Sequence, residues 1–138
     1  MKKKILIVED EKHLLRQYSE VLGEFGEIFP AANSQDVLSL IHEGMDLVIL
    51  DNKLIGDPKF PQENAGMEIL KTIKRELKLE VPVIIITAYP KEEGENAVGL
   101  EALNIGAYDY LEKPIDLFSL RKVVEKALLG VKPGGDRV

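Results

Sequence analysis

Short apolar runs alternate with stretches whose apolar residues recur every three or four positions, the pattern of repeated βα units around a parallel sheet. Residues 4–8 predict a first strand, and residues 13–25 a helix with Leu14, Leu15, Tyr18, Val21, Leu22 and Phe25 on one face, stopped by Gly26. Residues 27–31 predict a second strand, and Pro30 within it cannot donate to a ladder, which places it on a sheet edge. Ser34 is placed to cap a helix over 35–43 that buries Val37, Leu38 and Ile41 and ends at Gly44. Residues 46–50 are nearly all apolar, as a strand buried on both faces should be. A long loop over 52–64 leads to a helix over 66–77, a fourth strand over 81–86, a loop over 89–95, a helix over 96–105 and a strand ending near Leu111. A last helix over 116–129 buries Leu117, Leu120, Val123, Val124 and Leu128, and Gly130 closes it.

Right-handed crossovers and an edge-only second strand favour the sheet order 2-1-3-4-5 in a doubly wound α/β fold. The switch point then lies between strands one and three, where such folds bind ligands. At 138 residues the chain fits one domain. The domain is expected over 1–130, with 131–138 as a flexible tail or the start of a linker.

The ends of the apolar runs carry the candidate chemistry. The first run meets Glu9 and Asp10, the third Asp51, the fourth Thr87, and the fifth, one residue on, Lys113-Pro114. In parallel strands these ends open on one crevice holding three carboxylates, a hydroxyl and an ammonium. Clustered carboxylates repel each other and a hard divalent cation relieves the repulsion, so oxygen ligands with room for water suit Mg²⁺ or Mn²⁺. Asp51 ends the central strand and is the favoured nucleophile for a phosphoryl group, with Lys113 and Thr87 as electrostatic and hydroxyl partners. Singly, each has a plainer role. Asp10 could cap the next helix, Asp51 form an Asx-turn, Thr87 be a strand residue and Lys113 a solvated lysine. Their shared position at strand ends favours the joint reading. His13 and His42 lack ligand spacing and read as helix-surface residues.

Charge and composition narrow the classes. Eighteen basic against 24 acidic residues give a net charge of −6, which argues against nonspecific nucleic-acid binding. No cysteine is present, which excludes disulfides, thiol catalysis and cysteine-ligated zinc. The basic start is followed by only four apolar residues before Glu9, too few for a signal peptide, and no run is long enough to span a membrane. A cytoplasmic location, with no membrane partner, is the expectation.

The motifs Ile-Leu-Ile-Val-Glu-Asp-Glu (5–11), Asp-Leu-Val-Ile-Leu-Asp (46–51), Ile-Thr-Ala-Tyr (86–89) and Gly-Ala-Tyr-Asp-Tyr-Leu-Glu-Lys-Pro (106–114) together resemble the CheY-like receiver domain of bacterial two-component response regulators. The resemblance covers residues 3 to about 129 and implies a flavodoxin-like three-layer sandwich. It implies that Asp51 accepts a phosphoryl group from a sensor histidine kinase. It further implies that Asp10, Asp51 and the Lys53 carbonyl ligate Mg²⁺, with Glu9 acting through water. Thr87 and Lys113 would meet the phosphoryl oxygens, and the Lys113-Pro114 bond would be cis. Tyr110 matches the switch aromatic, which would rotate inward as Thr87 moves and remodel the surface of the fourth helix, fifth strand and fifth helix. Its plainer role is a half-buried strand aromatic. A homodimer through that surface, and an output domain or partner protein of unknown kind, are the expected consequences. Such a domain catalyses only its own phosphorylation and dephosphorylation.

Two departures from the family pattern stand out. Family members often carry Pro where this chain has Ile55, and residues 56–66 and 87–106 are longer than usual by about seven and about four residues, judged from motif spacing. These insertions could shield an acyl phosphate, select a kinase, build a dimer contact or be tolerated surface loops. Lys53 and Tyr89, two residues beyond Asp51 and Thr87, match positions that tune acyl-phosphate lifetime, and their bulk predicts slow autodephosphorylation. Three other classes compete. An Asp-nucleophile phosphatase wants a general-acid carboxylate where Lys53 stands. A flavin-binding module wants a phosphate loop where Glu9, Asp10 and Glu11 would repel the phosphate. A degenerate receiver would lack a key residue, and none is missing.

Overall fold

The structure is a computed structural model of the chain, described here for residues 2–88 and 97–132. Five parallel strands, β1 (Lys3–Val8), β2 (Gly26–Ala31), β3 (Leu47–Asp51), β4 (Val83–Thr87) and β5 (Asp109–Glu112), form one sheet in the order β2-β1-β3-β4-β5. Between and after them run α1 (Lys12–Leu22), α2 (Ser34–Leu40), α3 (Ala65–Lys71), α4 (Ala97–Ile105) and α5 (Leu117–Leu128). Alternation along the strands sorts the core into two layers. Ile5, Ile7, Leu47, Ile49, Ile84 and Ile86 pack under α1 and α5. Leu6, Val8, Val48, Leu50 and Ile85 pack under α2, α3 and α4. The expected doubly wound, flavodoxin-like sandwich is present, and Pro30 lies on the edge strand opposite Ile7.

Several boundaries differ from the pattern-based expectation for identifiable reasons. α1 ends at Leu22 with Gly23 as its cap, not at Gly26. Gly26 instead opens β2, where a Cβ would collide with the Lys3 carbonyl, so the glycine permits strand contact rather than stopping a helix. α2 is capped by Asn33, whose side chain accepts from the Asp36 amide. Ser34 is not the cap, because Asp57, in the loop after β3, engages both its amide at 2.6 Å and its hydroxyl at 2.9 Å. β3 includes Asp51, and all five of its residues are buried. α3 widens into a π-helical turn, Thr72–Glu76, before β4. The start of the helix over 96–105 and the loop over 89–95 reach outside the described residues. At the other end Val131 accepts a hydrogen bond from the Tyr108 hydroxyl at 2.7 Å.

Candidate functional site

Ladder bonds carry the strand ends past the strands and level them. Val8 pairs with Leu50, and the Glu9 amide donates to Ala31, which brings Glu9 beside Asp51. Asp51 pairs with Ile86, and the Asn52 amide donates to the Ile86 carbonyl at 2.9 Å. The Lys113 amide donates to the Thr87 carbonyl at 2.9 Å, which extends β5 past Glu112 and delivers its ammonium. The Lys113-Pro114 bond is cis.

Glu9 and Asp51 are each 2% exposed and Thr87 is 1% exposed. The Lys113 ammonium lies 2.8 Å from Asp51 Oδ2, and the Lys53 amide donates to Asp51 Oδ1 at 3.1 Å. Asp51 therefore forms the Asx-turn its position allowed and also meets a cation. Glu9 Oε2 accepts from the Glu11 amide at 3.1 Å. Its Oε1 is buried with no hydrogen-bond partner. Burial, and after it the neighbouring Asp51 carboxyl, push the Glu9 carboxyl up to about 9, against the pull of the Glu11 amide and Lys113. Burial works against the Lys113 ammonium, but the Asp51 hydrogen bond and charge, followed by Glu9 and Asp10, outweigh it and hold its pKa above the ordinary value. Tyr18, on the buried face of α1, has its phenol pushed up by burial and then by the charges of Glu9, Asp51 and Glu11.

Asp10 takes a different partner. It does not cap α1; Glu11 does, accepting from the His13 and Leu14 amides at 3.0 and 2.9 Å. Asp10 Oδ2 accepts instead from the Ile55 amide at 2.6 Å. Among the described residues no three His, Asp or Glu side chains stand close enough to hold a cation in this conformation. The donor set nevertheless fits a hard divalent cation. It is all oxygen, it contains an orphaned buried carboxyl oxygen, and two buried carboxyl groups lie close together there with one ammonium against Asp51.

Around this centre the structure adds residues that periodicity does not single out. Asn52, 9% exposed, accepts from the Met67 amide at 2.9 Å and donates to the Glu63 carbonyl at 3.3 Å, tying the strand end to α3. Gly66 lies so near Asp51 and Asn52 that a Cβ would collide with their backbone. Gly99, inside α4, faces the Tyr110 ring with no room for a methyl group. Glycine costs a helix interior about 1 kcal/mol relative to alanine, so a glycine inside a helix pattern was the available signal. Tyr110 itself is half-buried and packs on the α2–α3–α4 layer. Lys53 is exposed, its ammonium 3.9 Å from Glu63. Tyr89 lies outside the described residues. His13 and His42 are both exposed.

Comparison with known proteins agrees with this geometry. The response regulator receiver domain family matches residues 5–125. Sporulation initiation phosphotransferase F of Bacillus subtilis is 36% identical over 130 residues, covering 93% of this chain and 95% of the relative. Transcriptional regulatory protein CrdR of Helicobacter pylori is 34% identical over 128 residues, covering 91% of this chain. This chain spans 55% of CrdR and 25% of regulatory protein AtoC of Escherichia coli, to which it is 36% identical. Among solved structures, the receiver domain of NtrX from Brucella abortus superposes with a TM-score of 0.76 at 31% identity, covering 91% of this chain and 98% of that one. The chain belongs to the response regulator receiver domain family.

Proposed function

We propose that the domain is a phosphorylation switch in which Asp51 accepts a phosphoryl group from a phosphohistidine on a sensor histidine kinase. The observation that carries this is the Asp51 carboxylate itself, buried at a strand end, 2.8 Å from the Lys113 ammonium and beside an orphaned Glu9 oxygen. In the transfer an Asp51 oxygen forms a bond to phosphorus, the phosphorus–nitrogen bond breaks, and the imidazole leaves with the electron pair. A divalent cation, Mg²⁺ or Mn²⁺, would neutralise charge on the phosphoryl oxygens. Glu9, Asp10, Asp51 and the Lys53 carbonyl would hold it. Lys113 already bears on the reacting carboxylate and supplies the second positive charge. Thr87, one strand over, would hydrogen-bond the new phosphoryl group.

Tyr110 is the candidate reporter of that event, because its ring rests against Gly99 of α4 and a shift there changes the α4–β5–α5 surface. Val98, Leu100 and Phe118 are exposed on α4 and α5, at 36%, 45% and 70%, and support a homodimer across that face. CrdR and AtoC are named as regulators, and a regulatory output, carried by a further domain or a partner protein, fits the same reading. Lys53, exposed two residues after Asp51, supports a long-lived acyl phosphate, and Tyr89, two residues after Thr87 in the sequence, is assigned the same role. Among the described residues no helix is long and apolar enough to cross a membrane.

Acetyl phosphate with Mg²⁺ tests the proposal. Intact mass should rise by one phosphoryl group in the wild type and not in Asp51→Asn, and the phosphorylated wild type should show the change in oligomeric state by size-exclusion chromatography. An equal mass gain in both proteins would overturn it. Phosphate loss from Lys53→Asn and Tyr89→Glu should be faster than from wild type; an unchanged rate removes the lifetime role.

A further inference from the structure

The long loop after β3 is built rather than loose. Leu54 is fully buried, and its amide donates to the Gln62 carbonyl at 3.0 Å. Asp57 collects the Ser34 amide and hydroxyl and the Lys59 and Phe60 amides, at 2.6 to 3.0 Å, and Phe60 packs on the core. Between the two anchors stand Ile55, 64% exposed, and Gly56 at a φ of +78°. This short turn can shift without opening the core, since neither residue buries a side chain there.

Ile55 makes one contact that reaches the cleft. Its amide donates to Asp10 Oδ2 at 2.6 Å, a short bond to a charged acceptor across 45 positions of sequence. Asp10 is thereby turned toward the loop, and the acidic side chains of the cleft do not converge into a set of three. We propose that the Ile55 amide is an internal competitor for Asp10, so that binding of a divalent cation and release of the loop at Ile55 are one coupled event. This inference rests on the cation reading of the site. The loop then reports cation occupancy outward, through an exposed isoleucine at the rim of the cleft.

Isothermal titration of the whole chain with Mg²⁺ alone, without a phosphoryl donor, tests this in wild type, Ile55→Ala and Ile55→Pro. Alanine keeps the N–H and proline deletes it, while Leu54, which precedes it, is not helical and accepts a following proline. Ile55→Pro should bind roughly tenfold more tightly than Ile55→Ala, the order set by losing one hydrogen bond to a charged group. Ile55→Ala should match wild type. Equal or weaker binding by a folded Ile55→Pro overturns the proposal. Hydrogen exchange on the wild type decides independently of that variant's fold. The Ile55 amide should be protected without cation and exchange faster at saturating Mg²⁺, and unchanged protection overturns the proposal. No Mg²⁺ uptake by the wild type would instead remove the cation reading beneath it.

Discussion

The two ends of the sheet both bury charge, and they treat it in opposite ways. At the N-terminal end of the strands Lys74, half-buried in the π-helical turn, donates to the Leu79 carbonyl at 3.1 Å and the Val81 carbonyl at 2.6 Å. Burial lowers its pKa, and Glu80 pulls the other way. Asp46 accepts from the Lys4 amide at 2.8 Å, and the Tyr108 hydroxyl reaches Val131. These polar groups have partners, and the result is a joint between segments. At the C-terminal end Glu9 keeps an oxygen without a partner beside a second buried carboxylate. An unsatisfied buried acceptor costs about 1–3 kcal/mol, which a joint has no reason to carry and a binding site has. Charge balance, more than burial, separates the working end from the structural one.

Substitutions should fall on one side of this contrast or the other. Asp51→Asn is the largest functional change, a complete loss of phosphoryl uptake by intact mass. Lys74→Met should leave that uptake intact and cost about 2 kcal/mol in denaturant unfolding, because two carbonyls lose their donor. Phosphoryl loss in Lys74→Met at full stability would erase the distinction between the ends. Glu9→Gln should weaken Mg²⁺ binding about tenfold, since a carboxyl of the cation site goes, yet shift stability at neutral pH by no more than about 1 kcal/mol, because the amide keeps the shape of the side chain and relieves the repulsion with Asp51. A large stability loss would make Glu9 a structural acid.

Smaller effects sharpen the picture within the working end. Burial pushes the Asp57 carboxyl up, but the Phe60, Ser34 and Lys59 amides and the Ser34 hydroxyl outweigh it and hold it below the ordinary carboxylate range. A depressed folded pKa adds stability that is present above the unfolded pKa and lost as pH falls through the folded one. Asp57→Asn should therefore cost about 0.5–1 kcal/mol at pH 7, near the low end because solvent screens the loop, and the gap to wild type should close in acid. Gly99→Ala should cost about 1 kcal/mol net, as crowding against the Tyr110 ring outweighs the helix propensity gained. It should also displace the Tyr110 ring from α4, read by nuclear Overhauser contacts between them. An unmoved ring would show that α4 adjusts in its place.

Much of this was legible from pattern. Strand ends were visible because each apolar run stops at a polar residue, and the order β2-β1-β3-β4-β5 followed from crossover handedness and one proline. The misplaced features share a cause. Ser34 lost its cap role to Asn33 because Asp57, 23 positions away, claimed it. Pattern alone makes Gly26 a helix stop, because its close neighbour, Lys3, lies on another strand. Gly99 gave a visible signal, but its reason, the Tyr110 ring, is a tertiary contact.

The division of labour among Glu9, Asp10 and Glu11 shows where sequence stops. Composition, periodicity and spacing determined the doubly wound fold, the crevice and the set of groups in it. That reading places Glu9 and Asp10 in the crevice without saying which partner each meets, since both stand at the end of the same strand. Only the folded chain turned Glu9 inward to Asp51, Asp10 toward the Ile55 amide and Glu11 back onto the first turn of α1. The physical reason is that a carboxylate's role is set by the donors and charges it meets, and several of these came from residues far along the chain, such as the Ile55 amide 45 positions from Asp10.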